Sequence, residues 1–162
     1  MKKKIMVRCI KSGGQTGSDL SGLKAAKILG LETGGTMPKS FINHTGTHPE
    51  YEELYNVKQD RSTKYPPRTR RNVIDSDGTV RIAAKFNSAG ERCTLKYIQR
   101  QEKPYFDVDI NKITEKKIEG FRKWLIDNEI EILNVAGNSE RTCPGIEKKA
   151  IDFLLKVFDK QL

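Results

Sequence analysis

The chain has 162 residues, 36% of them hydrophobic and 31% charged, with 30 Lys and Arg against 21 Asp and Glu for a formal net charge of +9. That length suits one domain over residues 1–162 with a single core. The composition is too apolar and varied for disorder and too polar for a membrane protein, with no apolar run near the roughly 20 residues of a spanning helix. Met1-Lys2-Lys3-Lys4 resembles a signal n-region, but Arg8 interrupts the apolar run Ile5-Met6-Val7, so no secretory leader is expected. Cys9, Cys93 and Cys143 are odd in number and far apart. They form neither a disulfide framework nor a zinc pattern, and reduced thiols in a cytoplasmic setting are expected.

In chain order, residues 4–11 are rich in β-formers and stop at Ser12-Gly13-Gly14. Residues 18–29 place Leu20, Leu23 and Ile28 near one helical face, with Gly30 as the stop. Residues 34–72 hold Gly34, Gly35, Pro38, Gly46, Pro49, Pro66 and Pro67, and read as a long irregular insertion with a hint of helix at 50–55. Residues 79–84 read as a short buried strand, 91–101 as a helix and 104–108 as a strand. Residues 114–128 form a helix with the apolar stripe Ile118, Phe121 and Leu125, where Trp124 is expected in the core. Residues 132–136 form a strand ending at Gly137. Residues 144–159 form a helix with Pro144 at its first position and Ile146, Ala150, Leu154, Val157 and Phe158 on one face. Strands alternating with helices predict parallel strands joined by crossovers, an α/β layered domain.

Ligands of such sheets bind at the carboxyl ends of the strands. Ser12-Gly13-Gly14-Gln15-Thr16-Gly17-Ser18-Asp19 follows the first strand and opens a helix, so its glycines admit a phosphate to the free N–H groups. It also reads as a glycine turn with a helix cap. The spacing is neither a dinucleotide fingerprint nor a Walker motif. Asn87-Ser88-Ala89-Gly90-Glu91 and Gly137-Asn138-Ser139-Glu140 are two further small-residue loops after strands, and three at one sheet edge predict a pocket for an anion. Arg68 and Arg71 are three apart and suit one helical face aimed at phosphate, with Arg70 towards solvent. Asp75 and Asp77 are a metal or acid/base pair on one reading and a helix stop and turn on the preferred one. His44 and His48 lie in a glycine-threonine loop without a companion Glu, which argues against a metal site. No Ser-His-Asp or Cys-His set is apparent.

The blocks Gly13-Gly14-Gln15-Thr16-Gly17, Thr33-Gly34-Gly35 with Pro38-Lys39, Arg68-Thr69-Arg70-Arg71-Asn72-Val73 with Asp75-Ser76-Asp77-Gly78-Thr79, Leu133-Asn134-Val135-Ala136-Gly137 and Pro144-Gly145-Ile146 occur in that order. Together they resemble the molybdenum-cofactor carrier family, the circularly permuted YpsA branch of the SLOG superfamily. The resemblance runs from about residue 8 to the C-terminus. It implies a Rossmann-like three-layer α/β domain with a mainly parallel sheet, and a homo-oligomer. It also implies a molybdopterin cofactor or a nucleotide-like phosphorylated ligand that is held rather than changed. By position, the ligand residues would be Gly13, Gly14, Gln15, Thr16 and Gly17 with Asp19; Gly35, Thr36 and Lys39; Ser88, Ala89 and Gly90; and Gly137, Asn138 and Ser139. Arg68 and Arg71 would be the anion clamps, with Asn72 beside them. The chain departs from the family pattern at Leu20, where members usually carry Arg.

Three functions follow as expectations. The first is non-catalytic binding of a small phosphorylated ligand for carriage or sequestration, which includes a sponge or sensor of a cyclic nucleotide or cyclic ADP-ribose signal. The second is a nucleotide N-glycosidase-type hydrolase, although Ser88-Ala89-Gly90-Glu91-Arg92-Cys93-Thr94 lacks the Glu spacing of lonely-guy-type relatives. The third is nucleic-acid binding, suggested by six basic residues between Lys58 and Arg71 against Asp60 alone. The 7% aromatic content, with few stacking platforms, argues against it.

Overall fold

The computed structural model describes residues 3–159. The first half runs β1 (Cys9–Lys11), α1 (Ser18–Leu29), β2 (Glu32–Met37), a 3-10 turn (Lys39–Phe41), the hairpin β3 (Ile42–Asn43) and β4 (Gly46–Thr47), α2 (Tyr51–Tyr55), β5 (Val57–Gln59) and α3 (Tyr65–Ile74). The second half runs β6 (Gly78–Ala83), α4 (Ala89–Arg100), β7 (Tyr105–Asp109), α5 (Glu115–Asp127), β8 (Ile132–Gly137) and α6 (Ile146–Phe158). Six strands make one sheet in the order β5-β2-β1-β8-β6-β7, and every neighbouring pair is parallel. Helices α1, α5 and α6 pack together as one layer and α3 and α4 as the other. The result is a Rossmann-like α/β arrangement. The chain leaves β1 for β2 and β5 on one side, then returns to build β6, β7 and β8 on the other, so the direction of winding reverses beside β1.

The two faces of the sheet differ chemically. The register sets Ile10 beside Leu133, Val80 beside Val135 and Phe106, and Ile82 beside Val108. These apolar side chains join Ala25, Phe121, Phe153, Leu154 and Phe158 in the main core, under α1, α5 and α6. The alternate positions set Thr79 beside Asn134 and Arg81 beside Asp107, a polar face under α3 and α4. Strand residues point alternately up and down, so one run such as Thr79-Val80-Arg81-Ile82 supplies both faces.

Most expected elements form, with shifted ends. Pairing in β1 begins only at Cys9, although Ile5 and Val7 are buried in the core ahead of it. On α1, Leu20 and Leu23 are buried but Ile28 is 66% exposed, and Ala25 and Ala26 fill the core there instead. Eight residues after Leu20, Ile28 has drifted about 80° around the helix. Helix α6 starts at Ile146 after Gly145 in the left-handed region (φ 86), which leaves Pro144 outside it. Trp124, expected in the core, is partly buried at its edge, where it packs on Phe121 at 5.8 Å between ring centroids.

Residues 34–72 are not irregular. They contain most of β2, all of β5 and most of α3. Glu-Thr-Gly-Gly-Thr-Met has weak β propensity, but β2 pairs on both edges, with β1 and β5, and those tertiary hydrogen bonds override it. Pro66 and Pro67 stand in the first turn of α3, where a missing N–H costs nothing.

Candidate functional site

A cavity of about 430 Å³ opens at the carboxyl ends of β1, β6 and β8 and runs beneath α3 and α4. Its floor is the polar sheet face, at Asn134 and Ala136. Its walls are Gly13, Gln15 and Asp19 after β1, Tyr65, Pro66, Arg68, Thr69 and Asn72 of α3, and Ser88, Ala89, Gly90, Glu91, Cys93 and Thr94 at the start of α4. Gly137, Asn138, Ser139 and Thr142 close it after β8, and His44 stands at one side. The volume suits a mononucleotide or a pterin.

The cations and carboxyls of this cavity are arranged asymmetrically. Arg68 is almost buried, with its guanidinium 5.4 Å from the Tyr65 ring centroid and its Nη1 3.5 Å from Asp19 Oδ2. Its Nε is buried without a hydrogen-bond partner among the described residues. A side chain at Gly13 would collide with the Arg68 guanidinium, so that glycine makes room for the arginine. Burial raises the Asp19 carboxyl above its ordinary range, against the pull of Arg68 and of backbone N–H groups at Gln15 and Gly13.

Glu91 is 3% exposed and its Oε1 is buried with no partner among the described residues. Burial pushes its carboxyl up to about 7, with Arg81 and Arg68 pulling down and Asp19 and Asp107 pushing up. The Ser88-Ala89-Gly90-Glu91 spacing is that of a capping box. Ser88 Oγ does accept from the Glu91 N–H at 3.3 Å, but the Glu91 side chain turns inward to the cavity. Burial, with Arg141 and Arg68 nearby, lowers the His44 ring below its ordinary value, and its Nδ1 is buried without a partner among the described residues.

Eleven of the residues expected at the ligand line the cavity: Gly13, Gln15, Asp19, Arg68, Asn72, Ser88, Ala89, Gly90, Gly137, Asn138 and Ser139. The side chains of both asparagines are already engaged by backbone. Asn138 accepts from the N–H groups of Ala84 and Lys85 at 2.8 and 2.9 Å and donates to the Lys85 carbonyl at 2.9 Å. Asn72 accepts from the Thr36 N–H at 2.8 Å and donates to the Thr36 carbonyl at 3.0 Å, tying α3 to β2.

The remaining seven stand outside the lining. Gly14 gives its carbonyl to Asn43, and Thr16 Oγ1 accepts from the Glu140 N–H at 3.3 Å. Gly17 lies against the Asn138 carbonyl and Gly35 against the Ser12 backbone, contacts that a Cβ would destroy. Thr36 is held by Asn72. Lys39 is exposed and its N–H donates to the Ser62 carbonyl at 2.8 Å. Arg71 stands only about 60° round α3 from Arg68, but its side chain is half exposed and runs along the helix to pair with Asp75 at 3.6 Å.

The preferred reading of Asp75 and Asp77 agrees with the structure. Asp77 Oδ2 accepts from the N–H groups of Glu131 and Ile132 at 3.0 and 2.8 Å, and Asp75 is the C-cap of α3. His48 pairs with Glu50 at 2.9 Å, apart from His44. Among the described residues no group of three or more His, Cys, Asp or Glu could hold a metal ion, and no helix is long and apolar enough to cross a membrane. All three cysteines are free, and burial raises the Cys93 thiol in the cavity wall, which makes it a poor nucleophile.

The sequence reading did not assign Glu91, His44, Tyr65, Asn134 or Thr142 to the ligand. For Asn134 the signal was present: a polar residue alternating with Leu133 and Val135 must face away from the core. For Glu91 the capping-box spacing pointed elsewhere.

No curated protein matches this chain. A crystal structure of a "Putative molybdenum carrier protein" from Syntrophus aciditrophicus SB is similar, with a TM-score of 0.88 and 31% sequence identity, covering 96% of this chain and 97% of that one. The family model described as the circularly permutated YpsA SLOG family matches residues 10–158. The match takes in nearly every element from β1 to α6, including all the loops that wall the cavity. The chain therefore belongs to the circularly permutated YpsA SLOG family.

Proposed function

We propose that the cavity binds a small phosphorylated ligand, a molybdopterin cofactor or a nucleotide-like molecule, and holds it for carriage or sequestration. The observation that carries this reading is Arg68, a nearly buried guanidinium whose Nε has no partner among the described residues and whose Nη1 is only loosely paired to Asp19. A buried cation with a free donor is costly unless an acceptor completes it, and a phosphate oxygen is a strong acceptor for it. The start of α4 faces the same cavity with free backbone N–H groups at Ser88–Gly90. The name of the similar structure, a molybdenum carrier, supports the pterin member of the class.

Titration calorimetry with inorganic pyrophosphate tests the anion reading. Arg68→Ala is expected to weaken binding at least about tenfold, the loss of a charge-assisted hydrogen bond, while Arg71→Ala stays within about twofold of the parent. Equal affinity in the parent and Arg68→Ala would sink it. Mass spectrometry and fluorescence of whatever denaturation releases from freshly purified protein would separate a pterin from a nucleotide.

One observation favours a second reading, hydrolysis of a nucleotide N-glycosidic bond. Glu91 and Asp19 are two buried carboxyls in one cavity, and a carboxyl near 7 suits proton transfer. Release of free base from a nucleotide monophosphate, abolished in Glu91→Gln, would support turnover over carriage.

A further inference from the structure

The cavity's polar side chains divide into those the fold has satisfied and those it has not. Asn72 and Asn138 are occupied by backbone, and Gln15 Oε1 accepts from the N–H groups of Thr16 and His44. Asn134 donates to Thr79 Oγ1 at 3.2 Å. Arg68 retains a free donor, which the anion reading uses. Glu91 retains an acceptor, Oε1, without a partner among the described residues, on a residue 3% exposed. A buried carboxyl without donors is unfavourable, and nothing in the phosphate reading relieves it, since a phosphate beside a carboxylate repels it.

A carboxylate presents two coplanar oxygens, and its best neutral complement is a pair of parallel N–H donors on one rigid edge. Among planar heterocycles the 2-amino-4-oxopyrimidine edge supplies such a pair, from the ring N–H and the exocyclic amine. Guanine and pterins share it. Adenine presents one amine beside a ring acceptor, which an ionised carboxylate repels. Hypoxanthine has the ring N–H without the amine.

We infer that Glu91 is the specificity residue of the cavity, taking the paired N–H donors of a 2-amino-4-oxopyrimidine edge while Arg68 holds the ligand's phosphate. This rests on the anion reading of Arg68 and adds the identity of the other end of the ligand. The groups around the Glu91 carboxyl are Arg81 from β6, Asp107 from β7, Asp19 from α1 and Arg68 from α3. The two arginines lower its proton affinity, the two aspartates raise it, and burial raises it further. Without ligand the carboxyl titrates at about 7. The donor pair binds the ionised form. The protonated form, an O–H beside a C=O, instead matches the amine and ring acceptor of adenine. Preference for guanine over adenine therefore rises with pH.

The test is calorimetry on the full chain with pyrophosphate, GMP, IMP, AMP and neopterin monophosphate at pH 6 and pH 8. At pH 8, GMP or neopterin monophosphate is expected to bind at least about tenfold more tightly than AMP and IMP, because each leaves an acceptor of Glu91 unmet. The GMP-to-AMP ratio is expected to fall towards pH 6. The phosphate is common to both nucleotides, so its own titration cancels in the ratio. In Glu91→Gln, whose amide also matches adenine, the preference is expected to vanish and the ratio to become independent of pH. The tighter of GMP and neopterin monophosphate names the source of the edge.

AMP binding as tightly as GMP at pH 8 overturns the inference on the parent protein alone, whatever the variant does. A preference that survives Glu91→Gln assigns recognition to another residue and overturns it too. Pyrophosphate binding with no discrimination among the nucleotides overturns the Glu91 assignment and leaves the anion reading intact. Failure of every compound, pyrophosphate included, overturns both.

Discussion

Gly17, Gly35 and Gly137 have positive φ values of 86, 131 and 145, and a Cβ at each would run into the backbone of another segment: Asn138, Ser12 and Ile82 respectively. Their work is to let the segments at the carboxyl ends of the strands pack backbone to backbone. Ser18 then donates its N–H to the Asn138 carbonyl at 3.0 Å and its hydroxyl to the Ile82 carbonyl at 2.6 Å. Gly90 is different. It sits in α4 with open space around a would-be Cβ. Gly137→Ala is expected to cost about 3 kcal/mol or more, since both strain and backbone overlap must be relieved. Gly90→Ala is expected to add up to about 1 kcal/mol by lowering the entropy of the unfolded chain. Urea melts of the two variants check this, and the same direction of change in both would contradict the assignment.

Helix α4, whose start forms one wall of the cavity, is held to the sheet by an ion pair. Arg81 of β6, 3% exposed, donates from Nε and Nη2 to the two oxygens of Asp107 on β7 at 2.8 and 2.7 Å. Its Nη1 donates to the Glu91 carbonyl at 3.2 Å. One guanidinium thus joins an edge strand, its neighbour and the first turn of the helix. Asp107→Ala strands a buried cation and is expected to cost about 3 kcal/mol, whereas replacing both partners by apolar residues of like volume costs less. A double-mutant cycle in chemical denaturation checks the difference. Additive losses would mean that the pair is not coupled.

The hydrophobic core lies on one side of the sheet, so the other side is free to be polar and to hold a ligand. The two sides also respond differently to pH. The Glu91 carboxyl is raised from 4.5 unfolded to about 7 folded. The folded chain therefore keeps a proton that the unfolded chain has lost across that window. Its stability contribution is complete below about pH 4.5 and is lost as pH rises to about 7. Glu91→Gln is expected to match the parent near pH 4.5 and to exceed it at pH 8 by up to about 3 kcal/mol, or several degrees in Tm. Thermal melts across pH 4.5–8 without ligand check this, and parallel curves for the two proteins would refute it.

Alternation and helical periodicity are local properties of the chain, so the α/β class, the second half of the fold and the polar side of β6 and β8 were legible in residues such as Thr79-Val80-Arg81-Ile82 and Leu133-Asn134-Val135. The converging glycine loops were legible for the same reason. Three things were settled only in the tertiary structure. Residues 32–37 became a strand through pairing on both edges, against their own propensity. Arg71, close to Arg68 on α3, was drawn out of the lining to an exposed pair with Asp75 at the end of the helix. Glu91, spaced to cap its own helix, became a buried carboxyl because Arg81 of β6 holds the first turn of α4 against the polar sheet face. Burial and orientation depend on what packs opposite a residue, and no local pattern encodes that partner.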